Sequence, residues 1–356
     1  HRGAKEPFTL GDTADPMDHI RKATEMAEKT QTEVQLDNRY EAVIKAVKDL
    51  QSDEWEFQLE KRVETWVVVA DILQPMNEEW QKQILAQAPT VSGVVRGLNL
   101  PLIDLMGWMS GAPDEMLVTR LRSGFPLLGT LEPSGYFPSE EKAATEEPPK
   151  QKKKLGKYLK QRQTKYPSDK LEEGVWRATE KDVARGYAQA PIPFSEIREG
   201  PKKFDIRTIT HRFGRDEGSK IRVCDDYTES SVNCSTSTGE RLQCQTIDHA
   251  VELCRRIVEI TKPGERLTLG KSDFASAFRQ CPLDESQSPW AWVFFVRNKV
   301  AYGVKPNSMP FGSISAVHAW SRVSEFILHI MLALFLLLPQ KYVDDFWFLW
   351  GNPRND

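Results

Sequence analysis

The chain has 356 residues, 40% of them hydrophobic and 28% charged, which suffices for two or three domains with an ample core. A formal net charge of −3 excludes a global cationic field, so any affinity for nucleic acid must come from local basic patches. The five cysteines (Cys224, Cys234, Cys244, Cys254 and Cys281) form no Cys-x-x-Cys pair and have no histidine at ligand spacing, which argues against zinc. Their odd number, with no signal peptide, points to a reducing intracellular setting. The first residue is His1 rather than Met, as expected of a fragment.

Residues 1–120 read as a mostly helical region. Trp55, Leu59, Val63, Trp66, Val67 and Leu73 fall on one face of a helix. Asp53 and Glu56 resemble a capping box, and Pro75 is expected just past the helix end. Trp80, Met106, Trp108 and Met109 are expected in the core. The region carries no chemical constellation, so its default role is scaffold or partner surface.

Residues 121–190 read as an irregular and then basic connecting segment. Gly and Pro are dense over residues 111–145. Lys150, Lys152, Lys153, Lys154, Lys157, Lys160, Arg162 and Lys165 follow, with no acid among them. Such a run suits a phosphate backbone, a localisation signal or a solvated linker. Helical character returns over residues 172–188, and Pro191 and Pro193 close it.

In residues 191–262, Asp216-Glu217-Gly218-Ser219 is a turn signal between two basic, strand-like arms. A hairpin there puts Lys220 and Arg222 on one face, a spacing that suits a polyphosphate and equally a scatter of surface charge. Thr246 is placed to cap a helix whose apolar face is Ile247, Val251, Cys254, Ile257 and Val258.

In residues 263–356, Arg266 to Asp273 reads as a strand ending on a carboxylate, followed by Phe274-Ala275-Ser276-Ala277-Phe278. A hairpin is expected around Arg297-Asn298-Lys299. Met309-Pro310-Phe311-Gly312-Ser313 is a tight loop leading into a helix, with Gly312 allowing a close backbone approach. The apolar run 326–338 is too short to cross a bilayer and contains His329, so it reads as a buried helix stopped by Pro339. Finally, Tyr342-Val343-Asp344-Asp345 interrupts a run of strand-forming residues, Phe346-Trp347-Phe348-Leu349-Trp350 among them. This reads as a hairpin with two aspartates at its tip, or as an acidic surface turn when taken alone.

The order of these parts resembles the fingers and palm of reverse transcriptases of retrotransposon type. Arg222, Asp226, Tyr227 and Asn233 are similar to the family's fingers motif. Asp273 with Phe278 five residues on looks like motif A, Pro310-Phe311-Gly312 like motif B, and Tyr342-Val343-Asp344-Asp345 like motif C. Thr228 departs from the pattern, since many relatives carry Arg there, and extra residues precede Asn233.

The resemblance implies an α+β fold: fingers over 191–262 and a truncated palm over 263–356, an antiparallel sheet with packed helices behind the helical N-terminal region. It implies that a thumb and ribonuclease H segment belong to the full protein and that these residues alone polymerise weakly. The implied activity is RNA-directed DNA synthesis on an RNA template from a DNA or RNA primer, using deoxynucleoside triphosphates. The implied cofactor is two Mg²⁺ ions, with Mn²⁺ as an alternative, about 3.5–4 Å apart as in other two-metal sites.

Asp273, Asp344 and Asp345 are then the catalytic and metal-binding set. Lys220, Arg222, Phe274, Phe278 and Gly312 are the nucleotide-binding residues, with Phe278 setting sugar choice. Lys152, Lys153, Lys154, Lys157 and Phe311 are the nucleic-acid contacts, and Gln280 is an incidental polar neighbour. Two rival readings stand beside this one. One is an RNA-dependent RNA polymerase, which typically has a polar residue in the place of Phe278 and Gly-Asp-Asp at the tip. The other is an inactive or domesticated relative that binds RNA or serves as a scaffold. No role at a membrane is expected.

Overall fold

The structure is a computed structural model describing residues 34–49, 52–148, 169–199, 204–261 and 266–352. The elements run in the order α1 (Asn38–Asp49), α2 (Ser52–Gln87), α3 (Pro89–Val95), α4 (Leu100–Ser110), α5 (Leu117–Ser123), β1 (Gly129–Leu131), β2 (Ser139–Lys142) and α6 (Asp169–Ala184). Then come β3 (Ile192–Pro193), α7 (Phe194–Glu199), β4 (Thr210–Asp216), β5 (Ile221–Asp225), β6 (Thr236–Glu240), α8 (Ile247–Ile260) and β7 (Arg266–Asp273). The last are β8 (Val293–Arg297), β9 (Val300–Val304), α9 (Ile314–Phe335), β10 (Pro339–Tyr342) and β11 (Asp345–Asn352). This is a mixed α+β architecture. Among the described residues no helix is long and apolar enough to cross a membrane.

The long helix α2 corrects two expectations. It begins at Ser52, so Asp53 lies in its first turn rather than at the cap, and it passes through Pro75 without ending. Proline deprives the carbonyl of Asp71 of its usual donor. Asp71 and Pro75 are both exposed, so water can take the donor's place. The face that docks also differs. Trp66, Trp80 and Ile84 meet the core, and Asn77 accepts the Leu100 N–H at 3.1 Å, whereas Val63 and Val67 stay exposed. In α4, Met106 is buried but Trp108 and Met109 are not. Positions 106 and 108 lie about 200° apart around a helix, so one face cannot bury both.

Three sheets follow. β1, β6 and β2 form a small mixed sheet, with β1 parallel and β2 antiparallel to β6. A five-stranded sheet has the order β3-β9-β8-β4-β5, in which β4 runs parallel to β8 and the other pairs are antiparallel. β10, β11 and β7 form an antiparallel three-stranded sheet. The expected hairpins therefore form. The turn at Asn298-Lys299 has both residues at positive φ, the twist that suits a tight hairpin.

One buried cluster runs from the N-terminal helices (Ile84, Leu100, Leu121) through Phe295 and Met309 to Trp320 of α9. A second joins Tyr40, Val43 and Ile44 of α1 to Leu253 and Ile257 of α8, Leu328 of α9 and Phe346 of β11. The second cluster alters the reading of α8. Thr246 caps it, with His249 completing the box, as expected. The buried pair is Leu253 and Ile257, and Ile247, Val251 and Val258 remain exposed. An Arg256–Glu41 ion pair at 2.7 Å fixes the rotation of α8 against α1. α9 ends at Phe335, where Leu336 turns left-handed, so Pro339 opens β10 rather than stopping the helix.

Candidate functional site

Asp273 is the last residue of β7 and Asp345 the first of β11, and the two are direct antiparallel partners. Tyr342 pairs with Asp345 across the hairpin, so the loop is Val343-Asp344 alone. The two aspartates 273 and 344, 71 positions apart (344 minus 273), therefore share one end of one sheet. The Phe274 N–H donates to the carbonyl oxygen of Asp344 at 3.2 Å, tying the two strand ends together.

Val343 has φ 58°, a conformation that a β-branched residue rarely adopts. Its carbonyl accepts the indole N–H of Trp320 at 2.8 Å, and Trp320 is fully buried in α9. Phe274 packs against both Trp320 and Phe346, with ring centroids 5.5 and 5.2 Å apart. The tip is thus held by aromatic packing and by two hydrogen bonds, one from Trp320 and one from the Phe274 N–H.

Burial raises the Asp344 carboxyl above the usual range, and the charges of Asp273 and Asp345 raise it further. A hydrogen bond from its own backbone and the Lys271 ammonium oppose the shift without cancelling it. Asp345 is compensated differently, by an ion pair to Lys271 at 3.0 Å. Asp273 is exposed. Asp273 and Asp344 lie close enough to interact by charge, and hard carboxylate oxygens of this kind suit a small divalent cation. Among the described residues no group of three or more His, Cys, Asp or Glu side chains is arranged to hold a metal ion. The feature present is an aspartate pair, with Asp345 engaged by Lys271.

Of the remaining expected residues, Phe274 and Phe278 pack in the same cluster as Val343 and Trp320, and the others lie as follows. Phe278 and Phe311 meet edge to face at 5.6 Å. Gly312 has φ +100°, and a Cβ there would run into the backbone oxygen of Asp225 at well under contact distance. Asn233 bridges the same loop. Its Nδ2 donates to the Gly312 oxygen at 3.1 Å, and its Oδ1 accepts the Ile314 N–H at 2.9 Å. Gln280 donates to the Ala275 oxygen at 2.9 Å, closing the loop after Asp273. Lys220 sits in the turn of the β4–β5 hairpin, and Arg222 on β5 is ion-paired with Glu217 at 2.9 Å. Lys152, Lys153, Lys154 and Lys157 lie outside the described residues.

Several contributors were not foreseen. Arg212 and Asp225 form a buried bidentate pair at 2.7 and 2.9 Å beneath Gly312, and Arg279, next to Phe278, reaches Asp182 at 3.2 Å. The Asp225 carboxylate holds the Arg212 guanidinium well above its ordinary range although burial works against the charge. Arg185 donates to the Ser276 hydroxyl at 2.8 Å. The Arg279 and Arg185 contacts join distant segments, for which local spacing gives no signal, whereas Arg212 and Asp225 are direct partners across the β4–β5 hairpin. The chain matches no protein-family model, and no curated protein matches it significantly.

Proposed function

We propose that the chain is an RNA-directed DNA polymerase of reverse-transcriptase type, in which β7, β10, β11 and α9 make the palm and β4–β5 belongs to the fingers. The observation that carries this reading is the register that sets Asp273 beside the Val343-Asp344 tip. Two divalent cations bound there would activate a primer 3′-hydroxyl and neutralise the triphosphate. Asp273 and Asp344 would hold them. Asp345, paired with Lys271, would support the tip rather than share the load equally.

The protein's own groups supply the rest. Lys220 and Arg222 would draw the triphosphate, Arg222 by leaving Glu217. Phe278, braced by Phe311, would form a wall against a ribose 2′-hydroxyl. Gly312 would let the loop after Phe311 lie close to the base pair being formed.

Primer extension with an RNA template, deoxynucleotides and Mg²⁺ tests the proposal. The expected result is Mg²⁺-dependent addition of at least one nucleotide, abolished in Asp344→Asn. Equal product from the wild type and Asp344→Asn would contradict it.

A further inference from the structure

The start of α1, the 241–245 loop, Tyr136 and Glu325 enclose a cleft of about 830 Å³. That size falls within the range of roughly 300–1,000 Å³ typical of small-molecule sites. The acidic groups on its wall are already matched. Asp37 accepts from Arg39 Nε at 3.0 Å and Nη2 at 2.8 Å, and Glu325 is paired with Lys341 at 3.0 Å and with Arg39 at 3.3 Å.

Two buried polar atoms on the same wall are unmatched. Arg39 Nη1 and the Tyr136 hydroxyl have no hydrogen-bond partner among the described residues. The Arg39 guanidinium lies over the Tyr136 ring, 5.8 Å from its centre, so the two side chains are neighbours; both unmatched atoms are closed to solvent, and a ligand meets them by a turn of either side chain toward the cleft. His249 lines the cleft and accepts the Thr246 N–H on Nδ1 at 3.1 Å. Arg241, also on the lining, is held loosely by Glu140 at 3.4 Å. The unmatched atoms of Arg39 and Tyr136 are donors, while the carboxylates of Asp37 and Glu325 are engaged. An arginine fork with a free arm suits an oxygen anion.

We propose that this cleft binds a small organic oxyanion, a carboxylate or phosphate monoester of about nucleotide size, on Arg39 and Tyr136. The proposal is independent of the polymerase reading. The cleft also grips the strand that leads to Asp344. Tyr40 donates to the Pro339 oxygen at 2.6 Å, and Gln245 links the Tyr40 hydroxyl to the Lys341 N–H, at 2.8 Å to each. Occupancy of the cleft is therefore expected to steady β10.

Calorimetric titration with uridine 5′-monophosphate, and separately with inorganic phosphate, tests this in the presence of EDTA, so that carboxylate-bound metal plays no part. The expected result is saturable binding, weakened about tenfold in Tyr136→Phe and in Arg39→Lys, as loss of one charged or buried hydrogen bond implies. Arg241→Ala, a surface change, should weaken binding less. Hydrogen exchange at the Lys341 amide should slow on ligand addition. The absence of saturable binding by both probes, or binding unchanged in Tyr136→Phe and Arg241→Ala alike, would overturn the proposal.

Discussion

Trp320 donates its indole N–H to the carbonyl oxygen of Val343 at 2.8 Å, joining a fully buried helix residue to the loop residue beside Asp344. Val343 at φ 58° stores strain of about 1–3 kcal/mol, which persists only where the surroundings hold it. Trp320→Phe keeps a ring and removes the donor. It should lower stability by about 1 kcal/mol, or somewhat more because the smaller ring leaves space. Val343→Gly should relieve strain and leave stability equal or higher. Urea denaturation of both variants checks the pair of outcomes.

The acidity of Asp344 has a consequence for stability in the absence of metal. Its folded-state carboxyl is raised above the ordinary value of 3.8, first by burial and then by Asp273 and Asp345. Between 3.8 and that raised value the folded chain binds more protons than the unfolded one, so stability falls as pH rises through the window. Above the window the penalty is complete, and below 3.8 it is absent. Asp344→Asn should flatten this slope and raise the melting temperature at neutral pH in EDTA. Melting curves across the acid range, with and without Mg²⁺, measure it.

Gly312 and Asp225 share a contact too close for any side chain. Gly312→Ala forces a Cβ against the Asp225 oxygen at φ +100°, with a cost of about 1–3 kcal/mol for the dihedral alone. Because Asp225 also anchors buried Arg212, the disturbance should reach the β4–β5 hairpin. A loss of melting temperature together with faster amide exchange over residues 210–225 is the expected result.

Phe278 meets Phe311 edge to face and is partly buried among core residues. If it walls off the ribose, Phe278→Ala should raise ribonucleotide incorporation relative to deoxynucleotide by tenfold or more, about 1.4 kcal/mol of lost discrimination. Competition assays with paired nucleotides measure the ratio. A ratio unchanged in a folded, active variant would leave Phe278 as packing alone.

The sequence made local features legible and left contacts between segments hidden. The hairpin at 298–299 and the one formed by β10 and β11 were readable because strand-forming runs flank turn residues, although the second turns on Val343-Asp344 and not on the two aspartates expected at its tip; the Thr246 cap was readable from a short pattern. The buried side of α8 was not. It carries two apolar stripes, and the choice fell to Leu253 and Ile257 through packing on α1, an element some 200 positions earlier. Pro75 misled because its cost depends on whether the freed carbonyl meets water. At the site, Asp273 and Asp344 could be picked out, but the Lys271–Asp345 pair depends on register, and Trp320 depends on a helix crossing beneath the hairpin.

The central claim is that Asp273 and Asp344 act together on a divalent cation. The most direct test is titration with Mn²⁺ followed by electron paramagnetic resonance, on the wild type and on Asp273→Asn, Asp344→Asn and the surface control Asp248→Asn. The account predicts saturable Mn²⁺ binding that Mg²⁺ displaces, that each of the first two substitutions lowers at least about tenfold, and that the control leaves intact. Binding that survives both site substitutions unchanged would contradict it.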